Sequence, residues 1–142
     1  MSLSMWNIVL AVGSVGAELQ PGDDALARLE DPSHVVRLHA AAELGEEGRA
    51  DKESIRALAE ALDDPNEIVR FYAADSLGRF GKAVGIVRKD LLNAFGDESW
   101  IVRRKVAIAL GAIGVAEDDF FRRLKQLYPD EAPAPHPQLV LL

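Results

Sequence analysis

The chain lacks cysteine and has few aromatic residues: none of its 142 residues is Cys, and Phe, Trp and Tyr together make up 6%. The absence of cysteine excludes disulfides, thiolate metal ligands and thiol nucleophiles, and it fits the reducing cytoplasm, where we expect the protein. No apolar run is long enough to cross a bilayer, so we predict no membrane partner. Basic residues are outnumbered, 16 against 23 acidic ones, for a net charge of −7. This balance argues against a nucleic-acid partner, which normally needs a basic surface.

What the chain does have is apolar and small. The hydrophobic fraction is 49%, and its richness in alanine favours close-packed helices over a β-sandwich. The charge is uneven, because residues 1–78 hold 15 acids and 6 bases whereas residues 79–142 hold 8 acids and 10 bases. We predict one domain over residues 1–130 and a proline-rich tail over residues 131–142.

The main feature is an internal repeat of 33 residues. Five positions recur at this spacing in three units, "DPSHVVRLHAAAELGEEG", "DPNEIVRFYAADSLGRFG" and "DESWIVRRKVAIALGAIG". They are an aspartate, an arginine, a leucine and two glycines: Asp31, Asp64 and Asp97; Arg37, Arg70 and Arg103; Leu44, Leu77 and Leu110; Gly45, Gly78 and Gly111; Gly48, Gly81 and Gly114. Segments at both ends resemble the unit incompletely, so we expect about four repeats with one abnormal unit at each end, as in solenoid caps.

Each unit is predicted to form two helices. The first begins near Asp51 in the second unit and has apolar positions at helical spacing, Ile55, Leu58 and Leu62. The second is predicted to use the repeated aspartate as its N-cap, with proline at the first helical position, and to end at the first repeated glycine, such as Gly45. The fold class is therefore all-α, an α-α superhelix. Ankyrin repeats share the period, but their Thr-Pro-Leu-His turn does not recur here.

The pattern D-P-x-x-V/I-V-R-x-x-A-A-x-x-L-G-x-x-G resembles the HEAT-like repeat of phycobilisome lyases, over about residues 5–130. This resemblance implies a HEAT-like solenoid in which the repeated aspartates and arginines form a ladder between adjacent units. The motif is specific for the repeat type and unspecific for activity.

Asp31 and Arg37 have the chemistry of an acid and an anion anchor, but the pair recurs in every unit, whereas a catalytic pair occurs once per site. A structural role is the better interpretation, and we expect no enzymatic activity. We also expect no metal or other cofactor. His34 and His39 lie five residues apart, about 140° around a helix, so they are poorly placed to share a metal.

Positions that differ between units need not serve the repeat, so they are the candidate partner-binding residues. We expect them to line the concave face, where second helices lie in HEAT-like stacks, and aromatic and arginine side chains are typical of interfaces. The candidates are Trp6, His34, Leu38, His39, Phe71, Tyr72, Trp100 and Arg104. The opposing interpretation, that Trp6 and Phe71 fill gaps between helices, stays open.

Two functions follow as hypotheses. The first is a non-catalytic interaction or scaffold module that holds a protein or peptide on the concave face. The alternative, implied only by the resemblance, is a subunit of a phycobilin lyase-like enzyme acting on a tetrapyrrole and its acceptor protein. A homodimer is a further open hypothesis.

Overall fold

The structure is a computed structural model that describes residues 23–114 together with residues 120, 122, 123, 125 and 126. Within this part of the chain all regular elements are helical, and no strand occurs. The α-helices are α1 (Asp23–Arg28), α2 (His34–Glu46), α3 (Lys52–Glu60), α4 (Glu67–Arg79), α5 (Arg88–Ala94) and α6 (Trp100–Ala112). Two 3-10 helices, Ala61–Asp63 and Gly81–Val87, precede α4 and α5.

The described helices form three consecutive pairs, α1–α2, α3–α4 and α5–α6. The second helix of each pair has 13 residues, and successive second helices begin 33 residues apart, at His34, Glu67 and Trp100. They stack in chain order, α2 on α4 and α4 on α6, while α3 and α5 meet neighbouring pairs through the 3-10 helices. This confirms an all-α stack of helix pairs. The predicted count of four repeats depends on residues outside the described ranges, as do the boundary at residue 130 and the tail.

The core lies between the layer of first helices and the layer of second helices. The repeated leucines Leu44, Leu77 and Leu110 are at most 1% exposed. Ile55 and Leu58 of α3 and Leu62 of the 3-10 helix that follows are buried, as their spacing predicts. Asp51 caps α3 as predicted, because its carboxylate accepts hydrogen bonds from the backbone amides of Glu53 and Ser54.

The predicted N-caps of the second helices are wrong by two residues. The capping positions are held by Ser33, Asn66 and Ser99, and the prolines lie before the caps. Each repeated aspartate instead accepts a hydrogen bond of 2.8 Å from the backbone amide two residues later. Such a side-chain-to-backbone turn competes with helix initiation at the aspartate and leaves its remaining carboxylate oxygen available for another partner.

The predicted helix ends are also displaced. α2 continues through Gly45 to Glu46, and the chain leaves the helix at the second repeated glycine. Gly48, Gly81 and Gly114 have φ values of 66°, 59° and 69°. Only glycine adopts this left-handed conformation without a steric penalty, so the second glycine of each unit ends the helix. The first glycine of each unit lies inside the helix, and at Gly45 it allows close packing against Ser76.

Candidate interaction surface

The repeated arginines and aspartates form the ladder that the resemblance implied. Arg37 donates two hydrogen bonds to the carboxylate of Asp64, Nε to Oδ2 at 2.7 Å and Nη2 to Oδ1 at 3.0 Å. Arg70 binds Asp97 in the same way, at 2.8 and 3.1 Å. Arg37 and Arg70 thus each bind the aspartate of the following unit in the bidentate geometry that makes such pairs strong.

A second set of bonds fixes each arginine within its own unit. The Nη1 group of Arg70 donates to the backbone carbonyl of Asp64 at 2.8 Å, and that of Arg37 donates to the carbonyl of Asp31 at 2.8 Å. The side chains of Arg70 and Asp97 are both 8% exposed. Their charges therefore act on each other and on the backbone, which supports the structural interpretation of the repeated pair over a catalytic one.

These contacts shift the pKa values of the side chains that form the ladder. Burial raises the pKa of Asp64, but the hydrogen bonds from Arg37 and from the Asn66 amide outweigh it, so the pKa lies below its ordinary value. The hydrogen bond to Asp97 raises the pKa of Arg70 above its already high value. Asp64 and Arg70 are therefore both charged at neutral pH.

The second helices expose one continuous face, which we call the second-helix face. We define it by five repeat positions: Val35, Leu38, His39, Ala42 and Glu46 of α2; Ile68, Phe71, Tyr72, Asp75 and Arg79 of α4; Ile101, Arg104, Lys105, Ile108 and Ala112 of α6. The predicted His39 and Arg104 are exposed on it, and Leu38 is half-buried. His34 and Trp100 are exposed at the first residues of α2 and α6, beside this face. Trp6 lies outside the described residues.

Phe71 and Tyr72 are half-buried on the second-helix face. Their rings meet edge to face with centroids 5.3 Å apart, and both pack against the core. The Nζ of Lys105 lies 5.2 Å from the centroid of Phe71, within cation–π range. Phe71 of α4 thus contacts Lys105 of α6, while its role in binding a partner stays a prediction. Trp100, by contrast, is 64% exposed.

Sequence reasoning did not single out a groove between α4 and α6. It has a volume of about 160 Å³ and is lined by Ala74, Asp75, Gly78, Arg79, Lys105 and Ile108. The signal was present in the repeat, because the position of Ile108 is held by Asp75 and Ala42 in the other units. The residue types at this position differ between units as much as those at the candidate partner-binding positions do.

An ion pair crosses one wall of this groove. Lys105 donates to Asp75 at 2.6 Å, and Arg79 approaches the other oxygen of the same carboxylate at 3.1 Å. Burial raises the pKa of Asp75, but Lys105 and then Arg79 outweigh it, so the pKa lies below its ordinary value. The groove thus has an apolar wall at Ile108 and charged groups at its margin.

Side-chain size between the second helices differs from one pair to the next. Between α2 and α4 the Ser76 hydroxyl bonds the carbonyl of Ala41 at 2.7 Å and fills the space beside Gly45. A Cβ added at Gly45 would overlap the Ser76 hydroxyl oxygen. The equivalent contact between α4 and α6 is looser, because a Cβ at Gly78 would lie 3.7 Å from Ala109. The looser contact coincides with the groove.

Large apolar side chains are exposed mainly along the second helices. Val35, Ile68 and Ile108 are 47%, 37% and 45% exposed. Ile86, on the 3-10 helix before α5, is 53% exposed and lies outside the second-helix face. In the described ranges, no group of three or more His, Asp or Glu side chains is arranged to hold a metal ion. No helix within them is long and apolar enough to span a membrane.

The family of HEAT repeats matches residues 22–86, a little under half of the chain. The matched range spans α1 to α4 and most of the following 3-10 helix, so it covers two complete helix pairs. No curated protein matches the chain. The family match and the stacked helix pairs together support a HEAT-like repeat protein, and HEAT repeats commonly mediate protein–protein interaction.

Proposed function

We propose that the protein is a non-catalytic interaction module that binds a protein or peptide on the second-helix face. The observation that carries the proposal is the distribution of exposed apolar side chains over the described residues. All but one of those with the largest exposure belong to second helices, where the repeat does not require them. Exposed apolar groups rimmed by charge, here Ile108 beside Lys105 and Asp75, are typical of binding surfaces.

The contacts between the repeated arginines and aspartates support the non-catalytic part of this proposal. The acid and the guanidinium of each pair hold one another, and the remaining guanidinium bonds go to backbone carbonyls. In the Arg37–Asp64 and Arg70–Asp97 pairs, the carboxylate and the guanidinium are therefore engaged with each other, unlike a general acid, base or anion anchor that must reach a substrate.

The test is affinity capture from the native lysate with matched surface variants. Ile108→Glu places a charge at the groove without removing a core contact, and it should lower the captured partner by roughly tenfold or more, as for a central interface residue. Ile86→Glu is the control, because it introduces the same charge at a similarly exposed isoleucine away from the second-helix face. Circular dichroism and thermal unfolding verify that both variants fold. The captured protein is then purified and the affinities are measured directly.

Equal capture by the two variants and the wild type would reject the second-helix face as the binding surface. The lyase-like alternative has a separate test. If the protein is a subunit of a phycobilin lyase-like enzyme, adding a bilin to the purified chain should shift the visible absorption band, and an unchanged spectrum would contradict this function.

A further inference from the structure

Among the described residues, no further second helix packs on the side of α6 that faces away from α4. In α4 the corresponding side is covered, since Gly78 faces Ala109 of α6 and Lys105 lies over Phe71. In α6 a Cβ at Gly111 would meet no described atom within 4 Å, and Trp100 is 64% exposed. We call the side formed by Trp100, Arg103, Arg104 and Gly111 the end face.

Arg103 on the end face is oriented like the two arginines that hold aspartates. Its Nη1 donates to the carbonyls of Asp97 at 2.7 Å and Glu98 at 3.0 Å, as the Nη1 of Arg70 does to those of Asp64 and Pro65. The Nε and Nη2 groups, which bind a carboxylate in Arg37 and Arg70, have no carboxylate partner among the described residues. A guanidinium already held in the binding orientation loses little side-chain entropy when a carboxylate arrives.

The occupied pairs indicate what fits such a face. At α2, Arg37 holds Asp64, and twelve residues later Ser76 lies against Gly45. At α4, Arg70 holds Asp97, and twelve residues later Ala109 lies near Gly78. The occupant is therefore a helix preceded by an aspartate, with a small residue twelve positions after that aspartate.

We propose that the end face binds a partner protein through such a helix, with the aspartate held by Arg103 and the small residue placed against Gly111. This proposal rests on the proposed function and names the chemistry of the partner. Arg104 is exposed on the same face and adds positive charge to a half of the chain whose net charge is +2, which favours an acidic segment.

The sequence of this chain supplies no second segment that meets these requirements. Asp130 is 33 residues after Asp97, but Pro133, Pro135 and Pro137 follow it, and the twelfth position is Leu142. Proline inside a helix removes a hydrogen bond and clashes with the preceding turn. In a second copy, Asp64 and Asp97 are already held, and the residue twelve positions after Asp31 is the charged Glu43.

The experiment measures binding of a fluorescein-labelled peptide, residues 64–79 of this chain, to the full-length protein by fluorescence anisotropy. The peptide carries the aspartate and the serine twelve residues later. Its matched control has Asp64→Asn. We expect the wild-type peptide to bind roughly tenfold or more tightly than the control, because a hydrogen bond to a charged group is lost.

Variants of the protein locate the site. Arg103→Met should weaken the wild-type peptide by a similar factor and should remove the difference between the two peptides. Arg56→Ala removes one positive charge from an exposed position on α3 and should leave the affinity unchanged. Trp100→Ala alters an exposed side chain, so it tests the end face without disturbing the core.

Several results would overturn the proposal. They are absence of peptide binding, equal binding of both peptides, and equal effects of Arg103→Met and Arg56→Ala. If Asp130→Asn strengthens peptide binding, the site is occupied within the chain. If light scattering finds an oligomer that Arg103→Met dissociates, the occupant is a second copy. Loss of partner capture in Ile108→Glu with no peptide effect in Arg103→Met would reject this proposal alone. Unchanged capture in Ile108→Glu would reject the proposed function.

Discussion

Replacing Arg70 by methionine tests the energetic contribution of the ladder. Methionine keeps most of the apolar stem but removes the guanidinium, so Asp97 retains only the 2.8 Å hydrogen bond from the Ser99 amide. Both side chains of the pair are 8% exposed. Removing one partner from a buried pair costs about 3–5 kcal/mol. Because Asp97 keeps a backbone donor, we expect the lower end, about 3 kcal/mol in the free energy of unfolding.

Glu98 contributes little to this value. It approaches Arg70 at 3.3 Å, but its side chain is 87% exposed. Exposed ion pairs typically contribute between 0 and about 1 kcal/mol. The predicted loss is therefore assigned to Asp97 and to the backbone carbonyl of Asp64.

Arg103→Met is the matched control, because Arg103 occupies the same repeat position and makes the same carbonyl bonds without a described carboxylate. Its cost should be smaller, about 1 kcal/mol, because the variant loses hydrogen bonds from a half-buried guanidinium to backbone carbonyls but leaves no buried carboxylate without its ion-pair partner. Urea unfolding followed by circular dichroism at pH 7 resolves the difference of about 2 kcal/mol. In a double-mutant cycle, adding Asp97→Asn to Arg70→Met should cost less than it does in the wild type. Equal losses for the two arginine variants would refute the reasoning.

Two further predictions concern packing and pH. Gly45→Ala should lower the free energy of unfolding by about 1–3 kcal/mol, because the new Cβ would lie 2.9 Å from the Ser76 Cα. In Gly111→Ala the new Cβ meets no described atom within 4 Å. Urea unfolding of this variant should show an unchanged free energy of unfolding or an increase of up to about 1 kcal/mol. The pKa of Asp64 lies below its ordinary value, so its stabilisation is present above the unfolded-state pKa of about 3.9 and is lost as the pH falls through the folded-state value. Urea midpoints measured from pH 6 to pH 2 should fall less steeply in Asp64→Asn than in the wild type, and parallel curves would contradict this assignment to the contact with Arg37.

Much of the fold could be predicted from the sequence, because the same residue types recur at the same positions in three units. The recurrence of Leu44, Leu77 and Leu110 identifies a position that is buried in every unit. The 33-residue spacing then sets the second helices in a common register, and Asp51 is a local cap signal. The partner-binding candidates stay predictions, since no partner is present.

The sequence predicts the wrong role where one residue can serve two purposes. An aspartate before a helix is a common N-cap, so the sequence favours that role for Asp64. In the structure it is recruited by Arg37 of the preceding unit, and Asn66 caps the helix instead. Likewise a glycine such as Gly45 is typical of a helix C-terminus, yet here it lies inside α2 and leaves space for Ser76. The local sequence does not show whether such a residue serves its own helix or contacts a neighbouring unit.

The sequence by itself determined the helix pairs, their period and the residues that the repeat requires, because these depend on local spacing of apolar, capping and glycine residues. Only the tertiary structure decided which variable side chains are free. Phe71 and Trp100 are both aromatic and both vary between units, but Phe71 packs partly buried against the core beneath Lys105 of α6, whereas Trp100 is exposed. The physical reason is that a side chain on one second helix is buried by contacts with the next second helix. Its exposure therefore depends on which residues that next helix places opposite it, and not on the residue itself.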